Sequence, residues 1–100
     1  MKAFLKCWWY TQKLKSADAS VRKEAIRELV NMKDRRVVDS LIKAIDDRNP
    51  EVRQIAVAAL GKIGDPHAVR RLSEALDDKS PEVRASASKA LERIKKKHPH

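Results

Sequence analysis

The stretch DDRNPEVRQIAVAALGKIGDPHAVRRLSEALDD, residues 46–78, decides the fold. Val52, Ala56, Leu60 and Ile63 step by four, four and three, which places them on one stripe of an α-helix. Past Asp65, Val69, Leu72 and Leu76 form a second helical stripe. The punctuation between and before the stripes agrees. Asn49-Pro50 and Asp65-Pro66 each set a side-chain acceptor ahead of a proline at the first helical position, where the missing N–H costs nothing. Gly64 suits the position just past a helix C-terminus. The stretch therefore reads as two short helices joined by a tight turn.

The same order recurs every 31 residues in both directions. Val21-Arg22, Val52-Arg53 and Val83-Arg84 match, and so do Ala25, Ala56 and Ala87, then Leu29, Leu60 and Leu91, then Met32, Ile63 and Ile94. In the second stripe Val38 pairs with Val69, Leu41 with Leu72, and Ile45 with Leu76, after Asp34 and Asp65. Going back one more period aligns Cys7 with Val38, Tyr10 with Leu41, Thr11 with Ile42 and Leu14 with Ile45, so residues 2–15 are a second helix without its first. At the other end Ser80-Pro81 opens a first helix, Lys96 replaces the capping Asp, and the chain closes on KKKHPH. The expected first helices lie near 19–33, 50–63 and 81–97, the second near 35–46 and 66–77. The fold class is all-α: a short α-solenoid, or alpha-alpha superhelix, of six antiparallel helices, in which each hairpin buries its face on its neighbours. Residues 1–97 form the single domain, divided into a half-repeat 1–15, repeats 16–46 and 47–77, and a half-repeat 78–97, with 98–100 as a tail.

These residues resemble the short HEAT-like repeat associated with phycobilin lyases, whose pattern is roughly D-P-x-V-R-x-x-A-x-x-A-L-G-x-I-G-D-x-x-A-V-x-x-L. The match is close at residues 47–78. Residues 16–46 depart from it with Val30 and Lys33 where glycines stand, and residues 78–97 keep the first-helix half. The resemblance is specific for fold and weak for function, since similar repeats build bilin lyases, a hydroxylase of a modified lysine, adaptors and scaffolds, DNA glycosylase relatives and artificial binders. It implies that Arg22, Arg53 and Arg84, with Asp34 and Asp65, interlock neighbouring repeats near their turns while Asp also caps a helix. It further implies that the second helices line the concave side, where partners commonly bind.

Composition narrows the function. The chain has 100 residues, 23 Lys+Arg against 14 Asp+Glu, a formal charge of +9, and 42% hydrophobic residues. That is one small folded domain, with no apolar run near the ~18 residues of a membrane span. The opening MKAFLKCWWYTQKLKS carries no acid and lacks the cleavage site of a signal peptide. The single cysteine has no partner for an internal disulfide, so a reducing, cytoplasmic location is the expectation.

Catalysis has no footing in the sequence. The hydroxylase branch of the resembled family holds iron with His-Glu dipeptides, whereas here His67 precedes Ala68, His98 precedes Pro99 and His100 ends the chain. His98 and His100 on a proline-bearing tail offer no third ligand. Cys7 occupies a core-facing position, where it packs as a small apolar residue. The pairs Asp46-Asp47 and Asp77-Asp78 read as solvated turns between units. The chain is expected to be no enzyme, to hold no metal and to need no cofactor.

The informative surface is the outward face of the second helices. With 38, 41, 42 and 45 buried, Arg36, Asp39, Ser40 and Lys43 point out, and so do their equivalents His67, Arg70, Arg71 and Glu74, then Leu5, Trp8, Trp9 and Gln12. The candidate binding residues are Trp8, Trp9, Arg36, Lys43, His67, Arg70 and Arg71, because tryptophan supplies area and arginine directional bonds at interfaces. Two readings of the tryptophans stand side by side: they cover the open end where a first helix is missing, or they anchor a partner, which includes a second copy docked end to end. The leading function is a non-catalytic interaction or scaffold module for a protein or peptide, engaged on the concave face or through the open N-terminal end. The alternative is a nucleic-acid binder that grips phosphates with its basic residues and stacks bases on its aromatics. Its charge is spread, however, with eight basic and three acidic residues in 1–33, six and six in 34–66, and nine and five in 67–100. An interfacial membrane helix over residues 1–15 ranks last, because its register is that of a packed helix.

Overall fold

The computed structural model describes residues 2–32 and 34–99, with the backbone alone for residues 2–3. Six helices follow one another: α1 Lys2–Lys13, α2 Ala19–Leu29, α3 Arg35–Ala44, α4 Pro50–Ile63, α5 Val69–Glu74 and α6 Pro81–Lys97. Among the described residues there is no strand. α5 is the short one, because it starts and ends in 3-10 turns, Pro66–Ala68 and Ala75–Asp77. α2 likewise stops at Leu29, short of the expected 33.

The caps form as the sequence demands. Asn49 accepts from the backbone N–H groups of Glu51 and Val52, Asp34 from Arg36, and Asp65 from His67. Gly64 ends α4 at φ 76°, a left-handed conformation that costs a glycine little.

The helices stand in two rows, α2, α4 and α6 in one and α1, α3 and α5 in the other, and the core lies between them. Ile26, Leu29, Leu41, Val52, Val57, Leu60, Leu72 and Val83 are fully buried there, and Cys7 joins them as expected. Val37 and Ala68 are just as buried, one residue ahead of the stripe that the periodicity picked out.

Two expectations are corrected here. The first is the curvature. α2 packs directly on α4 and α4 on α6, whereas the backbones of α1, α3 and α5 stay further apart. The reason is visible at Gly61, where an added Cβ would come to 2.7 Å from both Cα and Cβ of Ala90. Closer spacing makes the first-helix row the shorter arc, so the concave side belongs to α2, α4 and α6. The second helices form the outer row.

The second correction concerns the interlocking arginines. Their carboxylate partners are Asp47 and Asp78, and Asp34 and Asp65 only cap and pair locally. Arg22 donates from Nε to Asp47 Oδ2 at 2.9 Å and from Nη2 to Oδ1 at 3.1 Å, while Nη1 donates to the carbonyls of Ser16 and Ala17. Arg53 repeats the arrangement on Asp78 and on the carbonyls of Asp47 and Arg48. The turns at 46–47 and 77–78 are thus the clamps between units, since Asp47 and Asp78 also accept from the N–H groups of Asn49 and Ser80. The tail is tied as well: Lys97 Nζ donates to Ile63 O and His98 Nε2 lies 3.0 Å from Gly64 O. His100 lies outside the described residues.

Candidate interaction surface

α1 buries Cys7 toward the core and turns Phe4, Leu5, Trp8 and Trp9 outward. Phe4 and Trp8 are one turn apart, as are Leu5 and Trp9, so the four side chains share one helix face. Trp8 and Trp9 are 53% and 52% exposed. The cluster is held by cations: Arg36 Cζ sits 4.8 Å from the centre of the Phe4 ring, and Lys13 Nζ 4.6 Å from that of Trp9. A shallow groove of about 260 Å³ runs beside it between α1 and α3, lined by Thr11, Leu14, Ser40 and Lys43 among others.

The seven expected residues all lie on the outer row, yet three already have partners. Arg36 donates from Nε to Asp34 at 3.0 Å, and hydrogen bonds from its side chain and backbone hold the Asp34 carboxyl at a pKa of about 2. His67 Nδ1 lies 2.8 Å from Asp65 Oδ1. Partial burial pushes Asp65 up, but the backbone and ring hydrogen bonds of His67 outweigh it and leave this carboxyl below its usual value. Arg71 Nη2 donates to Asp46 at 2.6 Å, and its Nε is 3.0 Å from Glu74 Oε1 without hydrogen-bond alignment. Among the described residues Lys43 and Arg70 make no ion pair.

The structure therefore brings Trp8, Trp9 and Arg36 together at the α1–α3 end of the row. It leaves His67, Arg70 and Arg71 as a separate, charge-balanced stretch on and just before α5. Sequence reasoning omitted Phe4 from the site; its signal was the four-residue step to Trp8, which the alignment with the weakly packed position 35 concealed. Among the described residues no group of three His, Cys, Asp or Glu side chains gathers as a metal site would require.

Residues 9–96 match the family model of HEAT repeats. The chain belongs to the HEAT-repeat family. Among solved structures this HEAT domain is similar to the complex of CpcE and CpcF of phycocyanin lyase from Nostoc sp. PCC7120, with 33% identity, a TM-score of 0.80 and coverage of 86% of this chain and 36% of that one. It is similar to human deoxyhypusine hydroxylase in complex with glycerol at 27% identity, with a TM-score of 0.81 and coverage of 90% and 32%. An engineered protein shares 29% identity at a TM-score of 0.73, with coverage of 87% and 44%. The HEAT chain spans about a third of the length of the first two, 36% and 32%. Comparison with curated proteins finds no match. HEAT repeats generally mediate protein interactions, and among the described residues no helix is long and apolar enough to cross a membrane.

Proposed function

We propose that this HEAT domain is a non-catalytic interaction module that docks a protein or peptide partner on the outer row at its N-terminal end, with Trp8 and Trp9 as anchors. The observation that carries the reading is the half-exposed cluster Phe4, Leu5, Trp8 and Trp9, fixed in place by Arg36 and Lys13. Large aromatic side chains with few rotatable bonds lose little entropy on binding and contribute most of the area that drives it. Cations stacked on the rings supply a polar rim. The concave row gives no comparable anchor, since its exposed residues include Glu24, Arg27, Ala58 and Lys89 and no aromatic side chain. An unpaired, buried Cys7 accords with a cytoplasmic setting.

The same geometry weighs against phosphate gripping. Arg36 and Arg71 donate to Asp34 and Asp46, so two of the arginines that would grip phosphate are already paired within the protein.

The test uses a partner recovered from the native host and reconstituted from purified components. The double variant Trp8→Ala, Trp9→Ala should weaken the complex by at least about tenfold, whereas Arg93→Ala on the other row should not. Equal affinity for the double variant and the parent would overturn the proposal. A saturable and salt-steep change in tryptophan fluorescence on titration with oligonucleotides would replace it with nucleic-acid binding.

A further inference from the structure

The inner face of the arc changes character at its middle. Ile55 stands 31 residues after Glu24 and 31 before Ser86, and Ala58 stands likewise between Arg27 and Lys89, so two polar columns each hold an apolar residue on α4. Ile55 is half-buried and Ala58 exposed. With Val30 they form the open part of a shallow groove of about 260 Å³, floored by Ile26 and Ala59. Its border is cationic. Arg27, Lys62 and Arg93 line the groove, and Lys89 lies one turn before Arg93 on the same face of α6.

These cations are available to a ligand. Among the described residues Lys62, Lys89 and Arg93 make no ion pair, and Arg27 reaches only Glu24, at 3.5 Å with the two side chains 57% and 62% exposed. An exposed pair of that length holds a guanidinium weakly. The other acids of the face, Glu51 and Glu82, sit in the first turns of α4 and α6, toward the opposite end of the helices, and Glu51 is taken by Lys23 at 2.6 Å. Glu28 and Glu92 fall in the columns of Ala90 and Gly61, the two residues through which α6 and α4 meet, and so stand on the sides of α2 and α6 turned away from α4. The groove is thus an aliphatic notch inside a border of positive charge.

We infer that this groove docks a short acidic segment of another protein, which lays an aliphatic side chain on Ile55 and Ala58 and sets carboxylates against Arg27, Lys62 and Arg93. A groove this shallow does not enclose a small molecule, but it takes one or two side chains of a peptide. All four aromatic residues of the chain lie in α1, so nothing here stacks a base, and a floor recessed behind long charged side chains does not meet a flat bilayer. The floor belongs to α2 and α4 and the far wall to α6, so helices added to either row would extend the arc beside the groove and not across it. This surface is on the opposite row from the α1 cluster, and the inference stands without the proposal made for it.

The probe is the capped peptide acetyl-EDLLEED-amide, titrated into the whole protein at moderate ionic strength. It should bind saturably and shift the NMR signals of Ile55, Ala58 and Lys62. Exchanging its leucines for alanine, exchanging its acids for their amides, or Arg93→Gln in the protein should each weaken binding at least about fivefold, and Ala58→Glu, which sets an acid on the floor, should abolish it. Lys79→Gln on a distant turn should leave binding unchanged, and so should Trp8→Ala with Trp9→Ala. Ala58 and Arg93 are exposed, and an unchanged far-UV spectrum and Tm verify that both variants fold. Absence of binding at millimolar peptide, equal affinity for the leucine and alanine peptides, or equal losses for Arg93→Gln and Lys79→Gln would overturn the inference. Shifts of the same residues by an oligonucleotide and not by the peptide would overturn it in favour of nucleic acid, and self-association that Ala58→Glu abolishes would do so in favour of a second copy.

Discussion

Arg22 and Asp47, 25 residues apart, are joined by two hydrogen bonds in a place where the arginine keeps only 3% of its surface. The pair closes the first full unit onto the second. Breaking it from the carboxylate side leaves a guanidinium among carbonyls with its charge uncompensated, and such losses run to about 3–5 kcal/mol. Asp47→Ala should therefore strongly lower the denaturant midpoint. Asp46→Ala, next door but 70% exposed and paired with Arg71 across the surface, should cost no more than about 1 kcal/mol. Comparable midpoints for the two variants in urea titrations would show that the clamp is unimportant.

Gly61 sits where the two backbones of α4 and α6 meet. Gly61→Ala puts a methyl group 2.7 Å from Ala90 Cα, a contact that only helix displacement relieves, and overpacking of this kind costs about 1–3 kcal/mol. Adding Ala90→Gly removes one of the two clashing atoms, Cβ, and leaves Cα, so the double variant should recover only part of the loss. Gly64→Ala acts by another route. It forces a side chain into φ 76° against Lys97 and should cost about 1–2 kcal/mol. Thermal unfolding of the three variants separates the effects.

The Asp34–Arg36 pair sets a pH response. The Asp34 carboxyl titrates near pH 2 in the folded chain against an ordinary value of 3.8. A carboxyl with a lowered folded pKa contributes its full stabilisation above the unfolded value and loses it as pH falls toward the folded one. The Tm of the parent should thus fall more steeply between about pH 4 and pH 2 than that of Asp34→Asn. Superimposable curves for the two proteins would remove the pair from the account of acid stability.

Trp8 and Trp9 contribute more to surface than to core. Their joint replacement by alanine should change stability by no more than about 1 kcal/mol, because each keeps over half of its surface in water. Acrylamide should quench the emission of the parent readily. A collapse of the fold in the double variant would instead make the aromatics a structural cover.

The sequence carried most of this architecture because periodicity reports burial directly. Val52, Ala56 and Leu60 could only form a stripe, and Asn49-Pro50, Asp65-Pro66 and Gly64 marked its ends. What periodicity does not carry is distance between rows. The tight α4–α6 contact depends on Gly61 meeting Ala90, and the Gly61 column holds Val30 and Glu92 in the other repeats, so no recurring signal marks it and the curvature that the resemblance implies is the reverse of the one found. Pairing was equally hidden. Arg22 and Arg53 recur with four acidic columns at once, and only the folded chain shows that the turn carboxylates Asp47 and Asp78 receive them. At the surface the aromatic cluster was legible from α1 alone, while the local partners of Arg36, His67 and Arg71 required the turns around α3 and α5 in place.

The ladder also gives the stack a direction. Each clamp reaches forward, from an arginine held by its own turn to a carboxylate one unit later. If the first unit unravels, Arg22 departs with it and leaves Asp47 on a turn that water solvates easily. If the last unravels, Arg53 stays behind, still tethered to the carbonyls of Asp47 and Arg48 but without its counter-charge. Fraying from the N-terminus therefore ends at a comfortable boundary, and fraying from the C-terminus strands a cation, so the protein is expected to come apart from its aromatic end first.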